Sequence, residues 1–158
     1  PRNIATHFVG IPMIVLAIQV LLARMVWADA PVPLGLAELV TALSLLFYLR
    51  LDLRLGLLMA AVLGLGLWAA HTLAALPQGA WLAWGVGLFV VGWLVQFLGH
   101  FWEGRKPAFV DDIVGLLVGP LFIAAEAVFA LGGRSALHQA IVARAGPVRR
   151  RKGAAALS

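Results

Sequence analysis

Apolar runs long enough to enter or cross a lipid bilayer recur five times in this chain and leave little sequence for anything else. A spanning helix takes about 20 mostly apolar residues. The runs lie near 8–27, 34–49, 55–76, 80–99 and 113–131. Asp29, Pro31 and Pro33 close the first, and Arg50, Asp52 and Arg54 follow the second. Pro77-Gln78-Gly79 ends the third, and a polar loop from His100 to Asp112 follows the fourth. Of 158 residues, 63% are hydrophobic and only 12% charged. A soluble domain keeps roughly a quarter of its residues charged, so lipid is the implied solvent. Equally apolar runs follow the first, and no small-residue cleavage site closes it, which argues against a signal peptide. With no cysteine, disulfides, thiolate metal sites and thiol nucleophiles are excluded, and any bound metal must rely on His and carboxylates.

The pattern predicts an all-α integral membrane protein. It has about four transmembrane helices and a fifth segment, broken at Gly119-Pro120, that is re-entrant or spanning. Residues 1–137 form a single membrane-embedded catalytic domain, and 138–158 a basic, largely disordered tail. The net charge of +5 is clustered, which speaks to topology and not to nucleic acid. The turns at 29–33 and 77–79 carry no Lys or Arg, whereas Arg2, Arg50, Arg54, Arg105 and Lys106 fall on the other side. The positive-inside rule makes that side cytoplasmic. Arg134, Arg144, Arg149, Arg150, Arg151 and Lys152 follow the fifth segment, so a return to the same side fits better than a full crossing. Both ends are then cytoplasmic.

Along the fourth run, Gly85, Gly92 and Gly99 recur at heptad spacing on one stripe. Small residues let helix backbones approach closely in a membrane. Trp93, Gln96 and His100 lie on a neighbouring stripe, and Gln96 should face protein. Gln19 and Glu126 are likewise polar groups at membrane depth, where such residues usually face the bundle interior.

His7 opens the first run and His100 ends the fourth, so alternating crossings put both at one membrane face. Glu103 lies one turn beyond His100, with Asp111 and Asp112 nearby. Two imidazoles and a carboxylate with open positions are the donor set of non-haem Fe(II) oxygenases. Ordinary alternatives stand beside each of these: an interfacial imidazole bonded to backbone or headgroup, helix capping by Asp111 and Asp112, and a solvated ion-pair loop at Glu103, Arg105 and Lys106. His71 lies about 16 residues into the third run, or roughly 24 Å at 1.5 Å per residue, which places it near the opposite face. His138 falls in the tail and reads as a surface residue.

Two strings sharpen this reading. Asn3-Ile4-Ala5-Thr6-His7-Phe8-Val9-Gly10-Ile11-Pro12 is one. The other is Gly92-Trp93-Leu94-Val95-Gln96-Phe97-Leu98-Gly99-His100, continuing through Glu103-Gly104-Arg105-Lys106-Pro107-Ala108 to Asp111. They resemble the signatures of the DUF962 family of Mpo1-like 2-hydroxy fatty acid dioxygenases, and Gly119-Pro120-Leu121-Phe122 with Glu126 resembles a third block. The resemblance runs from residue 3 to about 137. It implies an Fe(2+)-dependent membrane enzyme that shortens a 2-hydroxy fatty acid by one carbon with O2, a step of fatty acid α-oxidation. Its catalytic residues would be His7, His100 and Glu103, and the matched family histidines are His7 and His100. Family members commonly carry another His a few residues upstream of Asn3, a position this chain does not include. The third metal ligand is left among Glu103, Asp111, that upstream His and, last on depth grounds, His71. Arg105, Lys106 and Gln96 are the candidate substrate-binding residues. The expected partners are the 2-hydroxy fatty acid, O2 and membrane lipid, with homo-oligomerisation allowed and nucleic acid excluded. The location would be the inner membrane of a bacterium or the endoplasmic reticulum of a eukaryote, with the site facing the cytoplasm. The competing function is a non-enzymatic small transporter or lipid-binding scaffold.

Overall fold

The computed structural model describes residues 2–28, 33–103 and 114–145, with the backbone only for Arg2, Asn3, Glu103 and Ala145. Among the described residues six helices carry the fold: α1 (Arg2–Leu22), α2 (Leu36–Leu51), α3 (Leu53–Ala74), α4 (Gln78–Glu103), α5 (Val114–Ala130) and α6 (Ser135–Ala145). A small antiparallel pair, β1 (Val26–Ala28) and β2 (Leu34–Gly35), links α1 to α2. The all-α membrane architecture is therefore as expected. Three stretches, Ile4–Leu22, Leu53–Ala74 and Gln78–Trp102, are long and apolar enough to cross a bilayer, or four if the bent pair formed by α5 and α6 makes one span.

The second apolar run gives a helix of only 16 residues. That is about 24 Å long, short of a hydrocarbon core of about 30 Å. The strand pair precedes this helix, and beside that pair Leu36 N–H donates to the Met25 carbonyl at 2.9 Å. A single residue, Asp52, joins α2 to α3. Its carboxylate accepts from the Arg54 and Leu55 amides at 3.0 Å each, capping α3 at its N-terminus.

Side-chain contacts fix the helix directions. Gly10 meets Gly92, and Leu21 meets Gly85, so α1 and α4 are antiparallel. Gln19 on α1 reaches Leu63 and Arg24 reaches Ala74, so α1 and α3 are parallel. Leu49 lies against Gly56, and Glu38 against His71, so α2 runs antiparallel to α3. The four directions alternate. Gly85, Gly92, Gln96 and Gly99 are all buried, which places the predicted glycine stripe at the α1–α4 contact. Gln19 faces the interior and is 5% exposed. Its amide nitrogen donates to the Leu63 carbonyl at 3.1 Å and to Thr41 Oγ1 at 3.3 Å. An amide at membrane depth needs such partners, because lipid offers none.

The expected bent element is present, but its bend is not at Gly119-Pro120. Helix α5 runs through Pro120 without interruption, as membrane helices tolerate when neighbours cover the freed carbonyl. The chain instead turns by 119° between α5 and α6. Gly132, at φ 80°, and Gly133 close α5 with the paired bonds of a Schellman cap: Gly132 N–H donates to Phe129 O at 2.9 Å and Gly133 N–H to Val128 O at 2.8 Å. Segment 135–145, which includes the first part of the predicted tail, is helical.

The contacts of α5 stay in one half of the bundle. Gly119 lies against Ile11, and the Leu117 carbonyl accepts from the Tyr48 hydroxyl at 2.8 Å. Leu121 and Ala124 pack on the buried cluster of Tyr48, Met59 and Leu63. Beyond the bend, Arg134 pairs with Asp52 at 2.6 Å. Ile11 is one turn from His7 and Tyr48 one turn from Asp52, so both sides of the bend return to the end of the bundle that holds His7.

Candidate functional site

That end is where the histidines meet. His7 sits in the second turn of α1 and His100 in the last turn of α4. The α1–α4 crossing brings their rings to 5.0 Å between centroids, edge to face at 76°. The crossing is close because it is built on glycine. A Cβ at Gly10 would lie 2.8 Å from the Gly92 carbonyl oxygen and 2.9 Å from Gln96 Cγ, and one at Gly92 would lie 2.8 Å from Ile14 Cγ1. Any larger residue at either position would part the helices and the imidazoles with them. Gln96, one turn inward from His100, is 6% exposed and packs over Gly10.

The other two histidines are elsewhere. His71 lies toward the far end of α3, where its Nε2 is 2.6 Å from Glu38 Oε1 on α2. It is held by a carboxylate at the opposite end of the bundle and takes no part in the His7–His100 pair. His138, on α6, stacks on Phe129 at 4.7 Å. The side chain of Glu103, together with Arg105, Lys106 and Asp111, lies outside the described residues. Among the described residues Glu126 forms no ion pair.

Sequence reasoning passed over three groups. Glu38 is the partner that fixes His71, legible only once α2 and α3 are known to be antiparallel. Arg24 stands at the end of α1 on the side that otherwise lacks Lys and Arg. Its guanidinium donates to the Ala74 carbonyl at 3.0 Å and to that of Leu76, and stacks 4.3 Å over the Trp81 ring. It thus satisfies carbonyls that the end of α3 leaves open. The Trp81 indole in turn donates to the Val20 carbonyl at 2.8 Å. Asp52 joins its cap to the Arg134 ion pair. The Leu55 amide first, and then Arg134, hold its carboxyl below the usual carboxylate range, against the opposing effect of partial burial.

Two imidazoles from antiparallel helices, converging at one end of the bundle, are donors suited to a first-row transition metal. Among the described residues no third His, Asp or Glu joins them. The described geometry thus supplies two adjacent imidazoles.

Fold and site together define a class: a small all-helical membrane protein with a paired-histidine site where two antiparallel helices end. Residues 1–131 match the family described as "2-hydroxy-palmitic acid dioxygenase Mpo1-like", and the chain belongs to that family. It is 35% identical over 136 residues to the yeast (Saccharomyces cerevisiae) protein named 2-hydroxy-palmitic acid dioxygenase MPO1, a match that covers 84% of this chain and 74% of the yeast protein. No solved structure matches the chain.

Proposed function

We propose that this protein is an Fe(II)-dependent membrane dioxygenase that shortens 2-hydroxy fatty acids by one carbon with O2. The observation that carries the reading is the convergence of His7 and His100, far apart in sequence, within a chain of the Mpo1-like family. The two imidazoles would hold the iron, with a third donor from Glu103 or Asp111. Bound there, iron would supply the one-electron chemistry that lets O2 react with a closed-shell acid. The reaction balances without an outside reductant: a 2-hydroxy acid and O2 give the acid one carbon shorter, CO2 and water.

The chain's own residues present and enclose the substrate. The His pair lies where α1 and α4 end, level with a headgroup region in which an ionised carboxylate stays hydrated. Arg105 and Lys106 follow α4 in sequence and would hold that carboxylate. The acyl chain then extends toward hydrocarbon. The face that carries the pair is cytoplasmic in this reading, because most Lys and Arg flank it.

The test is iron content and turnover of the purified full chain. Wild type should hold stoichiometric iron and convert 2-hydroxypalmitate to pentadecanoic acid. His7→Ala and His100→Ala should each lose both properties, and His138→Ala should lose neither. Full iron and activity in His7→Ala would sink the site.

A further inference from the structure

Gln96 carries an obligation that the described fold does not meet. It is 6% exposed, yet its Oε1 is buried and has no hydrogen-bond partner among the described residues. The other deep amide on this helix pair, Gln19, also has a buried Oε1 without a partner among the described residues, but its nitrogen is anchored on α2 and α3. It also lies about three turns from His7. A buried carbonyl left without a donor costs about 1–3 kcal/mol, and lipid cannot supply one. Its placement is specific. Gln96 is one turn inward from His100, and its side chain packs over Gly10, three residues inward from His7. Its acceptor oxygen thus belongs to the apolar side of the His pair, about 5–6 Å deeper along the helix axes.

An ionised 2-hydroxy acid entering from the headgroup region has few groups to offer there. Its carboxylate only accepts hydrogen bonds. Its acyl chain makes none. The hydroxyl on C2 is its sole O–H donor, and C2 is the first carbon inward from the carboxylate. With the head at the His pair, that hydroxyl is the acid's hydrogen-bond donor on the side toward Gln96.

We propose that Gln96 Oε1 accepts the hydrogen bond of the substrate's 2-hydroxyl and is the residue that selects 2-hydroxy acids over unsubstituted ones. The inference rests on the dioxygenase reading above and adds to it the source of its specificity. A hydroxyl donating to Gln96 keeps its oxygen lone pairs for other partners, so selection does not compete with chemistry at the His pair. An unsubstituted acid leaves the Gln96 carbonyl unpaired. Sites built to pair a substrate hydroxyl reject the analogue that lacks it far better than apolar pockets reject a change of size.

The experiment compares binding of 2-hydroxypalmitate and palmitate to the purified full chain, without O2, by equilibrium dialysis. Turnover of 2-hydroxypalmitate and iron content are measured in parallel. Wild type should prefer the hydroxy acid by about tenfold or more. Gln96→Met, similar in volume but without an acceptor, should bring the ratio to about one while leaving palmitate affinity and iron content as they were. Gln96→Glu keeps an acceptor, so it should keep a ratio above one although both acids bind more weakly beside the added charge. A role in packing alone would move thermal stability without moving the ratio. If wild type turns over 2-hydroxypalmitate but shows no preference, or Gln96→Met keeps the preference, the proposal is overturned and the dioxygenase reading stands. Should Gln96→Met fail to fold, a ratio of one in Gln96→Glu overturns it equally. If wild type neither turns over nor prefers the hydroxy acid, the dioxygenase reading falls and takes this proposal with it.

Discussion

The two ends of the bundle each hold a histidine contact, and the two contacts are built differently. At one end Glu38 and His71 face each other across α2 and α3 at 2.6 Å, an acid and a base that complete each other. Beside them, Arg24 closes the end of α3 and Trp81 bonds to α1. At the other end two imidazoles meet edge to face at 5.0 Å across a glycine crossing, with a buried amide oxygen beneath them. The first arrangement pairs its two ionisable groups with each other within the fold and reads as structure. The second collects nitrogen and oxygen donors of the kind that bind something else. A histidine in a membrane helix is therefore better judged by its partner than by its depth.

The sharpest way to break this comparison is to exchange the two losses. His100→Ala should abolish iron binding and turnover, whereas His71→Ala should keep iron and turnover and lose thermal stability. Loss of iron in His71→Ala would erase the distinction. The next largest effect is expected at the crossing. Gly92→Leu must displace Ile14 and the Gly10 carbonyl, so it should cost at least the roughly 1–3 kcal/mol typical of overpacking, and lower iron content with it. Leu88→Ala, at a half-buried position on the same helix, should cost less. Equal melting temperatures in detergent would count against a glycine-built crossing. At the opposite end, Glu38→Ala leaves His71 without its carboxylate partner. That should cost about 1–3 kcal/mol if the pair is structural, with no change in the ratio of turnover to bound iron.

The smallest effect concerns Asp52. Its carboxyl pKa is lowered in the folded protein, so its contribution is present above the ordinary carboxylate pKa. It is lost as the pH falls through that lowered folded value. Asp52→Asn should remove the Arg134 ion pair while leaving an acceptor for the cap. A partly exposed pair of this kind is worth about 0.2–1 kcal/mol. Stability of wild type and variant, measured by denaturation in detergent, should therefore converge in acid and differ slightly near neutrality. A difference that grows toward acid would contradict the sign of the shift.

Much of the fold was legible because lipid demands long apolar helices, and α1, α3 and α4 announce themselves by length. The meeting of His7 and His100 was legible for the same reason, since an even number of alternating crossings returns the chain to its starting face. Other features turned on local competition that periodicity does not record. Pro120 resembled a break, yet Leu117, Gly119 and Leu121 all find neighbours, and α5 holds through it. Gly132-Gly133 was the signal for the actual bend, because a positive φ of 80° suits glycine at a helix C-terminus. Arg24 went unweighed because a charge rule counts residues and cannot see carbonyls waiting at the end of a neighbouring helix. The partner of His71 required knowing which helices run antiparallel.

The Gly10–Gly92 contact has a mechanical consequence. Backbone lies close to backbone there, flanked by Ile14 and Gln96, so the crossing works like the rivet of a pair of shears. His100 lies about 12 Å along α4 from that rivet. A change of roughly 10° in the crossing angle would sweep it through about 2 Å, several times the roughly 0.5 Å to which reactive groups are held in effective sites. Helices in a bilayer adjust their tilt when hydrocarbon thickness changes. Trp81 and Arg24, binding the handles of the shears at the far end of the bundle, hold the crossing from the side opposite the blades.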